Sequence, residues 1–168
     1  MLIAVFIFTV AISALTFMAG RGIRAANDSQ NRITAEFLAI EGMEAVRNAR
    51  DSAFLRTLDS TSWTAVFGGD ISGPGGCFNA LGDSDQNKTC GFEYRDGVPN
   101  LISCEQCRLF LTATSNGYSH TQAGGGGASP FTRKIYINQI SAGEVKVRVV
   151  VEWPGDSVEY QENLFLWG

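Results

Sequence analysis

Residues 1–19, MLIAVFIFTVAISALTFMA, carry no charged side chain, and their only polar side chains are Thr9, Ser13 and Thr16. A helix that crosses a bilayer needs about 20 predominantly apolar residues, so this stretch is long enough for one span, and no later stretch rivals it. Three structures use such a segment. A cleaved signal peptide has a basic start and an apolar core of about 7–15 residues; this segment has no basic start and is longer. The core helix of a water-soluble fold shows a polar face, which is missing here. A retained membrane anchor meets neither objection and is the favoured reading. Arg21 and Arg24 follow the span, and by the positive-inside rule they favour a cytoplasmic C-terminus.

The cysteines argue for the opposite side. There are four, Cys77, Cys90, Cys104 and Cys107, all beyond the apolar segment. An even number in loop-rich surroundings, on an anchored chain, points to disulfides in an oxidising compartment. Sequence proximity favours Cys77–Cys90 with Cys104–Cys107. Structural zinc fits less well, because Cys104-Glu105-Gln106-Cys107 is a single CxxC and Cys77 and Cys90 are too far apart for a second knuckle. A redox CxxC uses a thioredoxin-like βαβ context, for which the sequence shows no pattern.

Beyond the anchor, residues 33–54 contain no proline, and Ala35, Leu38, Ala39, Gly42, Ala45, Val46, Ala49 and Ala53 recur at helical spacing. This stripe of mostly small residues lets another element approach closely. Glu44 with Arg47, and Arg47 with Asp51, fall on the polar side at pairing distance. Asn27, Asp28 and Ser29 are capping residues, so a helix break between residues 20 and 29 is one reading. The simpler one is a single helix of about 50 residues, on the order of 75 Å long. The division expected is a transmembrane helix over 1–20, its amphipathic continuation over 21–58 and a globular head over 59–168.

In the head, 68–88 and 116–130 read as loops, with short strands at 91–95 and 107–113. The β pattern is clearest over 131–167. Val145, Val147, Val149, Val151 and Trp153 alternate against Lys146, Arg148 and Glu152, and Pro154-Gly155-Asp156 is a turn signal. Val158, Tyr160, Leu164 and Leu166 alternate in the last strand. Half-buried strands need a cover that the helix stripe can supply, so the fold expected is α+β.

Few residues suggest chemistry. A net charge of −4 argues against nucleic acid as a partner. Asp83, Asp85 and Asn87 follow the start of a calcium loop, but Lys88 stands where that loop needs glycine, so a polar loop is the favoured reading and calcium the lesser one. Asn87-Lys88-Thr89 fits a glycosylation sequon, which is not the favoured reading of this segment. His120, the sole histidine, has no local catalytic pattern and reads as a loop residue. Gly124–Gly127 lacks the context of a phosphate loop. Trp63, Trp153 and Trp167 read as core. No enzyme, cofactor or small-molecule substrate is indicated.

An apolar helix that continues into an amphipathic one, then a disulfide-bearing antiparallel sheet, resembles the plan of type IV pilins and the pseudopilins of type II secretion. Residues 1–8, MLIAVFIF, resemble the apolar stretch just after the glutamate of the prepilin motif GFTLIE. Residues 38–51, LAIEGMEAVRNARD, resemble the LAQEGIEAVRNIRD segment of minor-pilin-type proteins. FTRKI at 131–135, VRVVVEW at 147–153 and LFLW at 164–167 resemble that subgroup's closing sheet. The resemblance implies a minor pilin or pseudopilin that sits in the inner membrane with its head outside. It then packs against other pilin subunits in a helical filament at the cell surface. Met1 aligns immediately after the family's glutamate, so the expectation is a natural chain that extends upstream through a basic leader. Such a leader would reconcile Arg21 and Arg24 with an external head. The alternative is a stand-alone anchored binding module that uses loops 68–88 and 116–130.

Overall fold

The computed structural model describes residues 2–57, 67, 76–82, 87–95, 97–112, 117–122 and 126–166. Leu2–Thr57 forms one α-helix, α1, of 56 residues. It runs without interruption through Gly20, Gly22 and the Asn27-Asp28-Ser29 triplet, so the break considered between residues 20 and 29 does not occur. Each residue added to an existing helix gains a hydrogen bond, and a glycine lowers that gain by only about 1 kcal/mol relative to alanine.

The chain divides into two units, Met1–Thr34 and Ala35–Gly168. The boundary falls where burial begins: Ala35, Leu38 and Ala39 are core residues, so the later part of α1 belongs with the head. The second unit is an α+β fold in which this helix packs on a largely antiparallel sheet.

Among the described residues the sheet has eight strands. They are β1 (Phe78–Asn79), β2 (Cys90–Arg95), β3 (Val98–Ser103), β4 (Arg108–Leu111), β5 (Tyr118–Ser119), β6 (Ala128–Ser141), β7 (Glu144–Trp153) and β8 (Asp156–Phe165). The expected meander is β6–β7–β8, with Ile135 opposite Val149 and Val149 opposite Tyr160. Strand β6 also pairs antiparallel with β2, through Cys90 and Ile135, and with β4. Its pairing with β1, Phe78 to Ile137 and Asn79 to Asn138, is parallel. The β4–β6 register shifts between Arg108 and Phe110, opposite the stretch that holds Pro130. Proline has no N–H for the ladder, so a bulge there is the expected accommodation.

Several assignments change. The loop over 116–130 contains β5 and the start of β6, and the loop over 68–88 contains β1. Strand β3, which contains Pro99, has no counterpart in the sequence reading; among the described residues it lies at the sheet edge, bonded to β2 alone, and an edge tolerates proline. In β8, Leu164 is buried but Tyr160 is exposed, because the core covers only part of this outer strand.

The core joins Leu38, Ala39, Met43 and Val46 of α1 to Phe131, Ile135 and Ile137 of β6 and to the alternate valines and Trp153 of β7. Ala49 and Ala53 pack at its margin, half-buried. Gly42 sits where helix and sheet come closest: a Cβ there would lie 3.0 Å from Val149 Cγ1 and 3.3 Å from Arg133 Cδ. The cysteines form two disulfides, Cys77–Cys90 and Cys104–Cys107. The first ties β1 to β2 beside β6. Buried Asn79 secures the same corner: its Nδ2 donates to Asn138 Oδ1 at 2.7 Å, and its Oδ1 accepts from the Lys88 N–H at 3.2 Å.

Candidate functional site

In the first unit the apolar side chains of α1 are uncovered by the fold. Leu2 is 88% exposed, and Val5, Phe6, Phe8, Leu15, Phe17 and Met18 are all exposed. The polar residues of the stretch make no outward demand. The hydroxyl of Thr9 donates to the Phe6 carbonyl at 2.8 Å and that of Ser13 to the Thr9 carbonyl at 2.8 Å. Thr16 donates to the carbonyls of Ile12 and Ser13 at 3.1 and 2.9 Å. Hydrocarbon offers no hydrogen-bond partners, so a spanning segment must satisfy its polar groups internally, and these three side chains do so. The segment reaches a mean hydropathy of 2.5 and is long and apolar enough to cross a membrane. Arg21 closes the stretch, its guanidinium 4.3 Å from the centre of the Phe17 ring.

In the second unit α1 has two faces. The inner one carries Ala35, Leu38, Ala39, Gly42, Ala45 and Val46 against the sheet. The outer one leaves Phe37 69% exposed, with Ile40 exposed beside it on the next turn. Among the described residues two ion pairs join helix to sheet. Arg47 reaches Glu44 on its own helix and Glu162 on β8, and its hydrogen bond to Glu162 holds its pKa above the ordinary value. The other pair lies deeper. Arg133 is 0% exposed, at a β6 position whose neighbours on the same face are Phe131 and Ile135. Its Nη1 donates to Glu41 Oε2 at 2.5 Å and to the Leu38 carbonyl at 3.3 Å, and its guanidinium stacks 4.1 Å from the Phe92 ring centre. Its Nε and Nη2 have no hydrogen-bond partner among the described residues. Burial pulls the Arg133 pKa below its usual value, and the Glu41 carboxylate opposes that shift.

His120 is a loop residue, as expected, in the bend after β5, but it is half-buried and supports this cluster. Its Nε2 lies 3.3 Å from the Arg133 carbonyl oxygen, and its Nδ1 lies 3.0 Å from the Phe92 carbonyl oxygen and 3.3 Å from the Phe92 amide nitrogen. The ring presses on Gly91, where a Cβ would sit 2.7 Å from His120 Cδ2, so this close approach requires glycine. Burial, and then the nearby Arg133 charge, push the His120 pKa down.

The calcium reading falls largely outside the described residues: Asp83 and Asp85 lie there, and only Asn87 is described. Among the described residues no group of three or more His, Cys, Asp or Glu could hold a metal ion. Trp63 and Trp167 also lie outside, while Trp153 is in the core. An open groove lies between Arg47, Arg50 and the end of β8, and the Arg47–Glu162 pair crosses it. Sequence reasoning missed Arg133, Glu41 and His120 as a cluster. The available signal was a lone arginine on the apolar phase of β6.

No protein-family model, curated protein or solved structure matches this chain.

Proposed function

We propose that the chain is a structural subunit, of minor-pilin or pseudopilin type, in a type IV pilus or a type II secretion-like filament. One observation carries the reading. A single helix carries an uncovered apolar stretch in its first unit, and in the second its inner face is the wall of a folded head. A plain anchor needs only the former. An assembly helix uses both, because apolar side chains that leave lipid must be buried against neighbouring copies while the head stays folded. The outward-facing Phe37 and Ile40 support it too, since large exposed apolar side chains on a head helix suit contact with another subunit. In this reading the helix sits in the inner membrane with the head outside until assembly, and the partners are other pilin subunits. The chain has no catalytic role.

The test is a charge in the apolar half. Ala11→Lys is expected to remove the subunit from sheared filaments while the head keeps its protease resistance and both disulfides. Normal incorporation of the Ala11→Lys chain would sink the proposal.

A further inference from the structure

The two disulfides differ in the exposure of one sulfur and in the length of the loop they close, although Cys107, like Cys77 and Cys90, is buried. Cys77 and Cys90 are both 0% exposed and belong to the hydrophobic core. Cys104 is half-buried, and the two residues between it and Cys107, Glu105 and Gln106, are exposed. The CxxC turn belongs to no ladder, since β3 ends at Ser103 and β4 starts at Arg108. Cys107 has φ of 50°, a left-handed conformation that disfavours a residue with a side chain. The sequence separations are 3 and 13 residues. A cross-link constrains the unfolded chain more as its loop lengthens, so the short one contributes less to folding.

Other contacts hold the turn when the sulfur bridge does not. The Cys104 N–H donates to the Thr89 carbonyl at 3.1 Å, and the Thr89 hydroxyl donates to the Cys104 carbonyl at 2.5 Å. The Arg133 N–H donates to the Cys107 carbonyl at 2.9 Å. Cys107 Sγ also lies 3.1 Å from the Cys104 carbonyl oxygen, an acceptor already placed for a thiol.

We propose that Cys104–Cys107 is a thiol–disulfide exchange site, opened by a dithiol that attacks Cys104 while Cys77–Cys90 stays closed. The dithiol's thiolate forms a bond to Cys104 Sγ. The Cys104–Cys107 bond breaks, and Cys107 leaves with the electron pair and takes a proton. The second sulfur of the dithiol, as thiolate, then attacks the mixed disulfide and releases Cys104. The dithiol is oxidised to its disulfide, its two electrons and two protons pass to the cysteines, and the head stays folded. The inference is independent of the filament reading, because it concerns only the solvent-facing turn of the head.

The experiment uses the full chain in detergent micelles, equilibrated with graded ratios of reduced to oxidised dithiothreitol, acid-quenched, alkylated and mapped by mass spectrometry. Cys104 and Cys107 are expected to become labelled at a poise where Cys77–Cys90 is intact and the circular dichroism of the head is unchanged. In urea, where the fold no longer protects it, Cys77–Cys90 is expected to open at a markedly less reducing poise than in the folded chain. Simultaneous opening of both bridges in the folded chain, earlier opening of Cys77–Cys90, opening only on unfolding, or a Cys77–Cys90 poise unchanged by urea would each overturn the proposal. The direction of attack has its own test. The Cys104 thiol in Cys107→Ser is expected to react with iodoacetamide roughly tenfold or more faster than the Cys107 thiol in Cys104→Ser, as exposure dictates. Equal rates, or the reverse order, would overturn attack at Cys104.

Discussion

Arg133 on β6 and Glu41 on α1 meet at 2.5 Å, with the guanidinium fully buried and the carboxylate 38% exposed. The arginine has left water entirely, and its compensation is one carboxylate, one carbonyl and one aromatic face. Removing one partner of a buried pair leaves a charge stranded, whereas removing both with apolar replacements is often neutral or better. Glu41→Ala is therefore expected to destabilise the head by roughly 2–3 kcal/mol, below the fully buried range because solvent reaches the carboxylate. Arg133→Met combined with Glu41→Leu is expected to recover most of that loss. Urea denaturation followed by tryptophan fluorescence checks both. A double variant weaker than Glu41→Ala alone would contradict this account.

Gly42 gives a second prediction. In an exposed helix, glycine to alanine gains about 1 kcal/mol. Here the new methyl would meet Val149 Cγ1 at 3.0 Å and Arg133 Cδ at 3.3 Å. Overpacking of a filled core typically costs about 1–3 kcal/mol, so Gly42→Ala is expected to be neutral to mildly destabilising and Gly42→Leu clearly destabilising. Thermal melts of the two variants should fall in that order. A stabilised Gly42→Leu would show that the helix and sheet do not pack this closely.

His120 links stability to pH. Its pKa in the fold is pushed below 6.5, by burial first and by the Arg133 charge second. The unfolded chain therefore binds the proton more readily, and stability rises with pH across the window between the folded value and 6.5. The contribution is fully present above 6.5 and is lost as pH falls through the folded value. Carboxylates also weaken the fold in acid, so the informative quantity is a difference. His120→Asn is expected to show a shallower loss of stability than the parent between pH 7 and about 5 in denaturant titrations. Parallel curves for the two proteins would remove His120 from the pH response.

The parts of the fold that repeat at short range could be read from the sequence. Val145, Val147, Val149 and Val151 alternate because one face of β7 is core and the other is not, and the small-residue stripe of α1 follows from helical period. Alternation reports which side a residue takes, but not what waits there. Arg133 occupies an apolar phase, and its partner Glu41 is 92 residues away. No local pattern connects them. β3 is a different case: Pro99 argues against a strand in general, yet an edge strand needs only one row of hydrogen bonds. Asp-Gly at 96–97 is a hairpin signal between two runs with strand character, and the φ of 79° at Gly97 agrees with it, so this edge hairpin has a local signature in the sequence. His120 looked solitary because Phe92 and the Arg133 carbonyl approach it only after the sheet closes.

The helix wall of the head also has a mechanical meaning. A pull applied to α1 at Ala35 meets no slack loop, since Ala35 is itself in the core and the helix continues unbroken to Thr57. The tension is shared among Leu38, Gly42 and Val46 against the valines of β7, and between the two arginine tethers to the carboxylates of Glu41 and Glu162. Yielding therefore requires these contacts to fail together, so the head is built to resist extraction of its helix more than to stretch along it.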